Sequence, residues 1–582
     1  MGIDPAANLE RAITAYDEAA GISRRLGLAR DLAGTLNNFG FAYQAKSRLP
    51  GNNSTQTQQA LENAYRSFQE ALDQVEYLRG EIQADSEGYK RIFNQKWNKV
   101  FLGMVEVCLE LGRYQDALEY VDHSKARNLV ELMATRDLYP PGVIPGNIRE
   151  RLQSLKLAIY QEERRLQDEK NPDYTRLNQL RQEKQQLEPY QPLRFQDIQA
   201  LLDEETAILE WYILPNKFLT FTITSHSLNL WTSSQEDLDK LIDWTTVYHQ
   251  DYYNGKSQWR ENLPQRLETL SQILHLDEIL SNLRQNFPNC PKLILIPHRH
   301  LHLFPLHALP VTTEEGEGKF LQDLFPKGVS YVPNCQLLRQ AQNRQRLDFN
   351  QLFAIQNPTG DLAWSEIEVE AIRTLFPDRK TLARNNATTA KLLDEQRQEI
   401  LRQTHHLYFS CHGSFNVASP LDSGLLLADG VLTLEQIITQ LNLSNCRLVT
   451  LSASETGQVA VDQTDEYISL ASGFLLAGSA NVVCSLWSVH DLSTAILMIR
   501  FYEILHQQPN SSVALALQQS QQWLREATVQ HLLDWIDSCP LFSEGWRHHM
   551  KKALTFGAWK NKLDAKRFES PYYWAAFVAI GG

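Results

Sequence analysis

His406-Leu-Tyr-Phe-Ser-Cys-His-Gly-Ser-Phe-Asn416 and Arg447-Leu-Val-Thr-Leu-Ser-Ala-Ser-Glu-Thr-Gly457 share one plan: a short apolar run, then a turn of small and reactive residues. Gln351-Leu-Phe-Ala-Ile355 and Asn481-Val-Val-Cys-Ser485 repeat the apolar part. Such short, mostly apolar runs predict strands buried on both faces, as in the centre of a parallel sheet. Helical patterns alternate with them to the C-terminus, so this region is expected to be α/β, a mostly parallel sheet with helices on both faces. Ligands of such sheets collect beyond the carboxyl ends of the strands, which directs attention to the turn after each run.

Two of those turns hold the parts of an acyl-transfer site. His412 comes after the second run and Ser454 after the third, so a histidine and a small nucleophile are expected at neighbouring strand tips. Gly413 allows close backbone approach, and the amides of residues 413 and 454 are available to an oxyanion. A His-Gly pair after a strand is also a common structural turn, so spacing alone leaves both readings open.

Further out, the first 140 residues read as helices, with apolar residues three and four apart. They repeat: Ala12, Tyr16 and Ala19 share their offsets with Ala64, Phe68 and Ala71, and with Ala117, Val121 and Ser124, a period of about 52 residues. Small residues flanking a large one let a neighbouring helix approach, and Gly40 with Tyr43 supplies the matching partner pattern. The expectation is tetratricopeptide-like (TPR-like) helix pairs lengthened by a polar loop near Leu49 to Gln59; any antiparallel helical bundle is the alternative. The chain starts within what reads as the second helix of a pair, so either further repeats precede it or another chain covers that face. Residues 147–190 predict a helical hairpin turning at 168–174, its charges forming a solvated face. Ala207–Ile213, Phe218–Ile223 and Leu228–Trp231 predict strands. The resulting division is 1–140 helical repeats, 141–195 hairpin, 196–345 a first α/β half, and 346–582 a second half bearing the site.

Several motifs in order resemble the CHAT domain, a caspase relative akin to separase: His412-Gly-Ser-Phe-Asn416, Pro420-Leu-Asp-Ser-Gly-Leu-Leu-Leu-Ala428 and Leu451-Ser-Ala-Ser-Glu-Thr-Gly457. Supporting matches are Pro297-His298 with Leu303-Phe-Pro-Leu-His-Ala308, Ser472–Gly478, Ser485-Leu-Trp-Ser-Val489 and Pro571–Phe577, together spanning about residues 200–582. Ser124-Lys-Ala-Arg-Asn-Leu-Val-Glu-Leu132 is similar to the family's junction after its TPR region. The resemblance implies a cysteine endopeptidase with His412 as base, the residue at 454 as nucleophile, and Gly413 and residue 454 supplying the oxyanion amides. It also implies a TPR region that receives a protein activator or substrate, and a bacterial source. In the family position 454 is normally cysteine; this chain carries serine. A thiol near neutral pH is already a few per cent thiolate, whereas a hydroxyl needs a coupled base that is itself oriented. Caspase-like sites lack a dependable third group, so little or no activity is expected with Ser454. Cys411 adjoins His412 but should face away, and Cys446 lies near the far end of its strand; both read as buried structural thiols. The serine is either that of a natural pseudo-peptidase kept as an interaction scaffold or an engineered replacement.

CHAT relatives often prefer a basic residue before the cleaved bond, which calls for an acid beside position 454. Asp422 and Glu455 are the candidates, Asp422 also serving to fix its loop. Trp487 and Asp491 either line the cleft or act as a core aromatic and a helix cap. The histidines at 298, 300, 302 and 307 suggest a metal on one strand face, but no acid or thiol lies near in sequence, and packing is the expected role. No phosphate or dinucleotide loop appears, so no cofactor is expected. A formal charge of −13 spread along 582 residues argues against nucleic acid and anionic membranes. No signal segment, no eighteen-residue apolar run and seven scattered cysteines point to the cytosol.

Overall fold

The computed structural model describes residues 5–80, 87–138, 144–167, 175–188, 190–312, 319–416, 419–459 and 467–582. They form two compact units, one running to Ile198 and the other from Gln199 to Gly582.

The first unit is helical: α1 (Pro5–Leu26), α2 (Ala29–Ser47), α3 (Ser54–Gly80), α4 (Glu87–Glu110), α5 (Tyr114–Ser124), α6 (Arg127–Leu138), α7 (Gly146–Gln167) and α8 (Thr175–Leu187). Consecutive helices from α1 to α5 pack on one another, and α7 packs on α8; the turn expected at 168–174 lies outside the described residues. Gly27 and Gly112, with φ of +70° and +71°, come directly after α1 and close to the end of α4 in the left-handed conformation that stops a helix. The 52-residue repeat has a packing basis. Ala64, Phe68 and Ala71 on α3, and Ala117 and Val121 on α5, are fully buried, while Tyr16 and Ala19 on α1 are half-buried and Ala12 is half-buried beside them. The Phe68 ring lies against two glycines: a methyl at Gly40 of α2 would stand 2.7 Å from it, and one at Gly103 of α4 2.5 Å.

The polar loop is shorter than expected. Ser54–Gln59 are helical because Asn53 caps α3: its side chain accepts the Gln56 amide hydrogen at 2.8 Å, and Gln56 accepts that of Asn53 at 2.9 Å. The junction motif at 124–132 also acquires a physical reason. Arg127 donates to Glu76 at 2.6 Å and to Glu131 at 3.0 Å, and its guanidinium lies 3.5 Å from the centre of the Tyr190 ring. The buried Arg79 donates to Asn128 and Glu131. Burial pushes Glu76 up, but Arg127 and His123 outweigh it and hold its carboxyl at about 2.

The second unit is built on one sheet. Its strands are β1 (Thr206–Ile213), β2 (Phe218–Ile223), β3 (Leu228–Thr232), β4 (Lys292–Ile296), the short pair β5 (Pro310–Val311) and β6 (Lys319–Phe320), β7 (Gly328–Tyr331), β8 (Gln351–Gln356), β9 (Asp378–Ala383), β10 (His406–Ser410), β11 (His412–Ser414), β12 (Gly424–Leu427), β13 (Gly430–Thr433), β14 (Leu448–Ser452), β15 (Asn481–Ser485) and β16 (Phe577–Gly581). Eleven of them run in the order β3-β2-β1-β4-β7-β16-β15-β14-β10-β8-β9. β3–β2, β2–β1 and β16–β15 pair antiparallel and the rest parallel. The four apolar runs are β8, β10, β14 and β15, mutually adjacent and buried almost throughout.

A single sheet therefore joins the two expected halves, and the C-terminal strand β16 stitches them together. It pairs with β7 through Ile580↔Tyr331 on one side and with β15 over its full length on the other. β14 starts one residue later than expected, because the Arg447 amide hydrogen goes to the His405 carbonyl and its buried guanidinium donates to the carbonyls of Leu347 and Ser511. β11, β12 and β13 form a separate three-stranded sheet with β11 at its edge.

Candidate active site

Register brings the site together. In β8, β10 and β14, Gln356, Ser410 and Ser452 stand side by side at the carboxyl ends. His412 and Ser454 each lie two residues beyond that line, past the tips of the adjacent strands β10 and β14. The two turns touch: a methyl on Gly413 would fall 2.6 Å from the Ser454 carbonyl oxygen and 2.9 Å from the Thr456 methyl. No side chain fits at 413 without displacing backbone.

The turn after β14 is strapped to the end of β15 and the residue that follows it. Ser485 donates its hydroxyl to the Ala453 carbonyl at 2.5 Å and its amide hydrogen to Thr456 Oγ1 at 3.1 Å. Gly457 donates to the Ser485 carbonyl at 2.7 Å, and Gln458 to that of Leu486 at 2.7 Å. Ser454 is half-buried, and its Oγ accepts the Val489 amide hydrogen at 3.4 Å.

His412 carries a partner that the sequence did not disclose. Its Nε2 lies 2.9 and 3.0 Å from the two carboxylate oxygens of Asp361, in the loop after β8. That loop is built around the buried Asn357, whose side chain accepts the Leu362 amide hydrogen at 3.1 Å and donates to the Leu362 carbonyl at 3.2 Å. Its amide hydrogen goes to the Ser410 carbonyl at 2.8 Å, tying the loop to the tip of β10. Hydrogen bonds from Thr359 and His412 hold the Asp361 carboxyl below the usual carboxylate range. Asp361 was legible by the same rule that found His412 and Ser454, applied to the turn after the first run.

The remaining expected site residues are scattered around this centre. Glu455 has a left-handed backbone, φ +61°. Its carboxylate accepts the Tyr252 hydroxyl at 2.5 Å, and that oxygen accepts the Ser488 amide hydrogen at 3.0 Å. Lys256 Nζ stands 3.8 Å from Glu455. Burial and the Glu455 carboxylate push the Tyr252 phenol up, keeping it a donor. Asp422 is exposed at the end of the 3-10 turn Pro420–Asp422. Trp487, 1% exposed, sits in the core and not in an open cleft; it donates its indole hydrogen to the Tyr572 carbonyl at 3.2 Å and packs edge-on against Trp259. Asp491 is the exposed first residue of the helix Asp491–Gln507, and the cap is its neighbour His490, which accepts the Ser493 amide hydrogen at 3.2 Å; Asp491 itself is not the cap.

Cys411 and Cys446 are both buried; burial pushes both thiols up, Cys446 to about 11. Neither presents a thiolate near neutral pH. The histidines at 298–307 do not share a strand face, since they fall before and within the 3-10 turns Arg299–Leu303 and Leu306–Ala308. His298 Nδ1 accepts the Ile213 amide hydrogen at 2.9 Å, and His307 pairs with the Tyr331 hydroxyl at 2.8 Å.

Behind the strand tips lies a buried acid. Glu368, on the helix Ser365–Arg373, accepts the Tyr408 hydroxyl of β10 at 2.7 Å, and burial pushes its carboxyl up to about 7. A raised carboxyl favours the folded state fully below the unfolded value near 4.5 and loses that contribution as pH rises through about 7. The loss amounts to about 3 kcal/mol. Glu368→Gln, which still accepts from Tyr408, is expected to flatten stability between pH 5 and 8 relative to the parent, as read by denaturant unfolding across that range.

Comparison with known proteins agrees with this architecture. The chain belongs to the CHAT domain family, whose model matches residues 265–582, more than half of its length. A helical region followed by a CHAT domain on a mostly parallel sheet is thus the fold class. Among solved structures, the chain is similar to a chain of the Saccharomyces cerevisiae separase–securin complex at 10% identity and a TM-score of 0.40. That alignment covers 100% of this chain and 54% of the other, so the present chain spans about half the length of that relative. It is also similar to the Arg-specific cysteine proteinase gingipain R at 9% identity and a TM-score of 0.32, over 55% of this chain and 67% of the other. No match is found among curated proteins. No helix among the described residues is long and apolar enough to cross a membrane.

Proposed function

We propose that the chain is a CHAT-family endopeptidase framework in which His412 is the base and position 454 the nucleophile position, acting on a protein target under control of its TPR-like helical region. The placement of His412 and Ser454 two residues past the tips of the adjacent parallel strands β10 and β14, with Gly413 against the Ser454 carbonyl, carries this reading. The amides of 413 and 454 are then the oxyanion donors, and no cofactor takes part.

With serine at 454 the framework is silent. A buried triad carboxylate is worth about four orders of magnitude in rate. Asp361 is open to water, its side chain 62% exposed, and such a pair contributes at most about 1 kcal/mol, roughly fivefold. That falls far short of what a hydroxyl nucleophile requires. Ser454 itself favours a second reading, an interaction scaffold that never cleaves.

The test compares the chain as given with Ser454→Cys, each incubated with a peptide library and with itself and read by mass spectrometry. Cleavage by the cysteine form alone, lost by about 10²-fold or more on His412→Ala, is expected. Cleavage by the serine form would contradict the proposal, and silence from both would favour the scaffold.

A further inference from the structure

We infer that Asp361 is the positioning residue for His412, holding the imidazole with its proton on Nε2 and leaving Nδ1 as the proton-accepting nitrogen. This rests on the peptidase reading of His412. Three observations carry it. Nε2 meets both carboxylate oxygens, at 2.9 and 3.0 Å, which defines the nitrogen engaged. The loop bearing Asp361 is fastened at both ends by the buried Asn357, through Leu362 and through the Ser410 carbonyl two residues before His412. And β8, β10 and β14 are consecutive in the sheet, so acid, imidazole and nucleophile position come from three neighbouring strand tips in that order.

The tautomer is dictated by the chemistry of the partner. A carboxylate only accepts, so the nitrogen facing it must carry the hydrogen. With Nε2 a donor, the lone pair resides on Nδ1. A proton leaving the group at 454 is taken up there, giving an imidazolium whose Nε2–H still points at Asp361; the acid itself takes no proton. Exposure of the pair limits its size, so Asp361 orients the base and does not replace burial as a source of rate.

Asp361→Asn separates this role from a merely structural one. An amide can offer its NH₂ to Nε2, which raises the share of rings carrying the proton on Nδ1, a form that cannot act as the base, whereas Asp361→Glu keeps an acceptor. The first readout needs no activity: nitrogen-15 shifts of the neutral His412 ring in the full chain. The Nε2–H form is expected to dominate in the parent and in Asp361→Glu, and the Nδ1–H fraction to rise in Asp361→Asn. The second readout uses the Ser454→Cys background, where Asp361→Asn should lower kcat about 2- to 5-fold with KM unchanged and Asp361→Glu should recover most of it. An identical tautomer ratio in the parent and both variants overturns the inference even if Ser454→Cys cleaves. A tautomer shift without any cleavage by Ser454→Cys upholds the positioning and sinks the peptidase reading instead.

Discussion

Gly413→Ala in the Ser454→Cys background is expected to cost about 10²-fold or more in peptide cleavage, with the protein still folded. A methyl at 413 would lie 2.6 Å from the Ser454 carbonyl oxygen. That is closer than a carbon and an oxygen can approach, and the obstacle is backbone, not the end of a flexible side chain. The turns at 412–414 and 453–456 must therefore separate. The second turn is strapped to Ser485 and Leu486 by hydrogen bonds, so the displacement falls on His412. Displacements of about 1 Å at reacting groups cost about a hundredfold. Cleavage rates of the two forms, with melting curves to show that both fold, check this; equal rates would mean that Gly413 is an ordinary turn.

Phe68→Ala is the largest stability change expected in the helical unit. The ring is fully buried and fills the space that Gly40 and Gly103 leave between three helices. Gly40 and Gly103 have no side chain that can swing in to refill the void, and Phe41, whose ring packs edge-on against Phe68 at 5.0 Å, loses that contact, so the cost is expected in the range for a buried phenylalanine, about 3–5 kcal/mol. Denaturant unfolding of the full chain, tracked by helical circular dichroism, measures it. A loss below about 1 kcal/mol, well under that range, would show that the helices close over the gap and that the repeat is not held by this contact.

What could be read from the sequence divides along physical lines. The strands around the site were legible because continuous burial on both faces leaves short apolar runs bounded by turns: His406–Ser410 and Asn481–Ser485 match their strands to the residue. The repeat of Ala64, Phe68 and Ala71 was legible because one large residue between small ones has few packing solutions. The capping of α3 by Asn53 depends on a side-chain angle that the sequence does not carry, so polar residues at 54–59 read as loop. Trp487 was ambiguous for a similar reason: a tryptophan at a strand tip serves cleft or core equally well until Trp259 and Tyr572, far away in the chain, are seen around it. Asp361 lies in a turn that the strand-tip rule marks, but its pairing with His412 depends on how the turn after β8 folds back under Asn357 towards β10, which the sequence does not carry. The position of β16 between β7 and β15 is a non-local pairing that periodicity does not carry.

The most direct test of the pairing of His412 with position 454 needs neither substrate nor activator. It is the pH dependence of alkylation of the thiol introduced by Ser454→Cys, with and without His412→Ala, located by peptide mass spectrometry against the seven native cysteines. A thiol beside an imidazole reacts well below the ordinary cysteine range near 8.5 and returns to it when the imidazole is removed. Alkylation is predicted to persist at about pH 6 in the single variant, with the profile moving up in the double variant; an ordinary and identical profile in both would contradict the pairing.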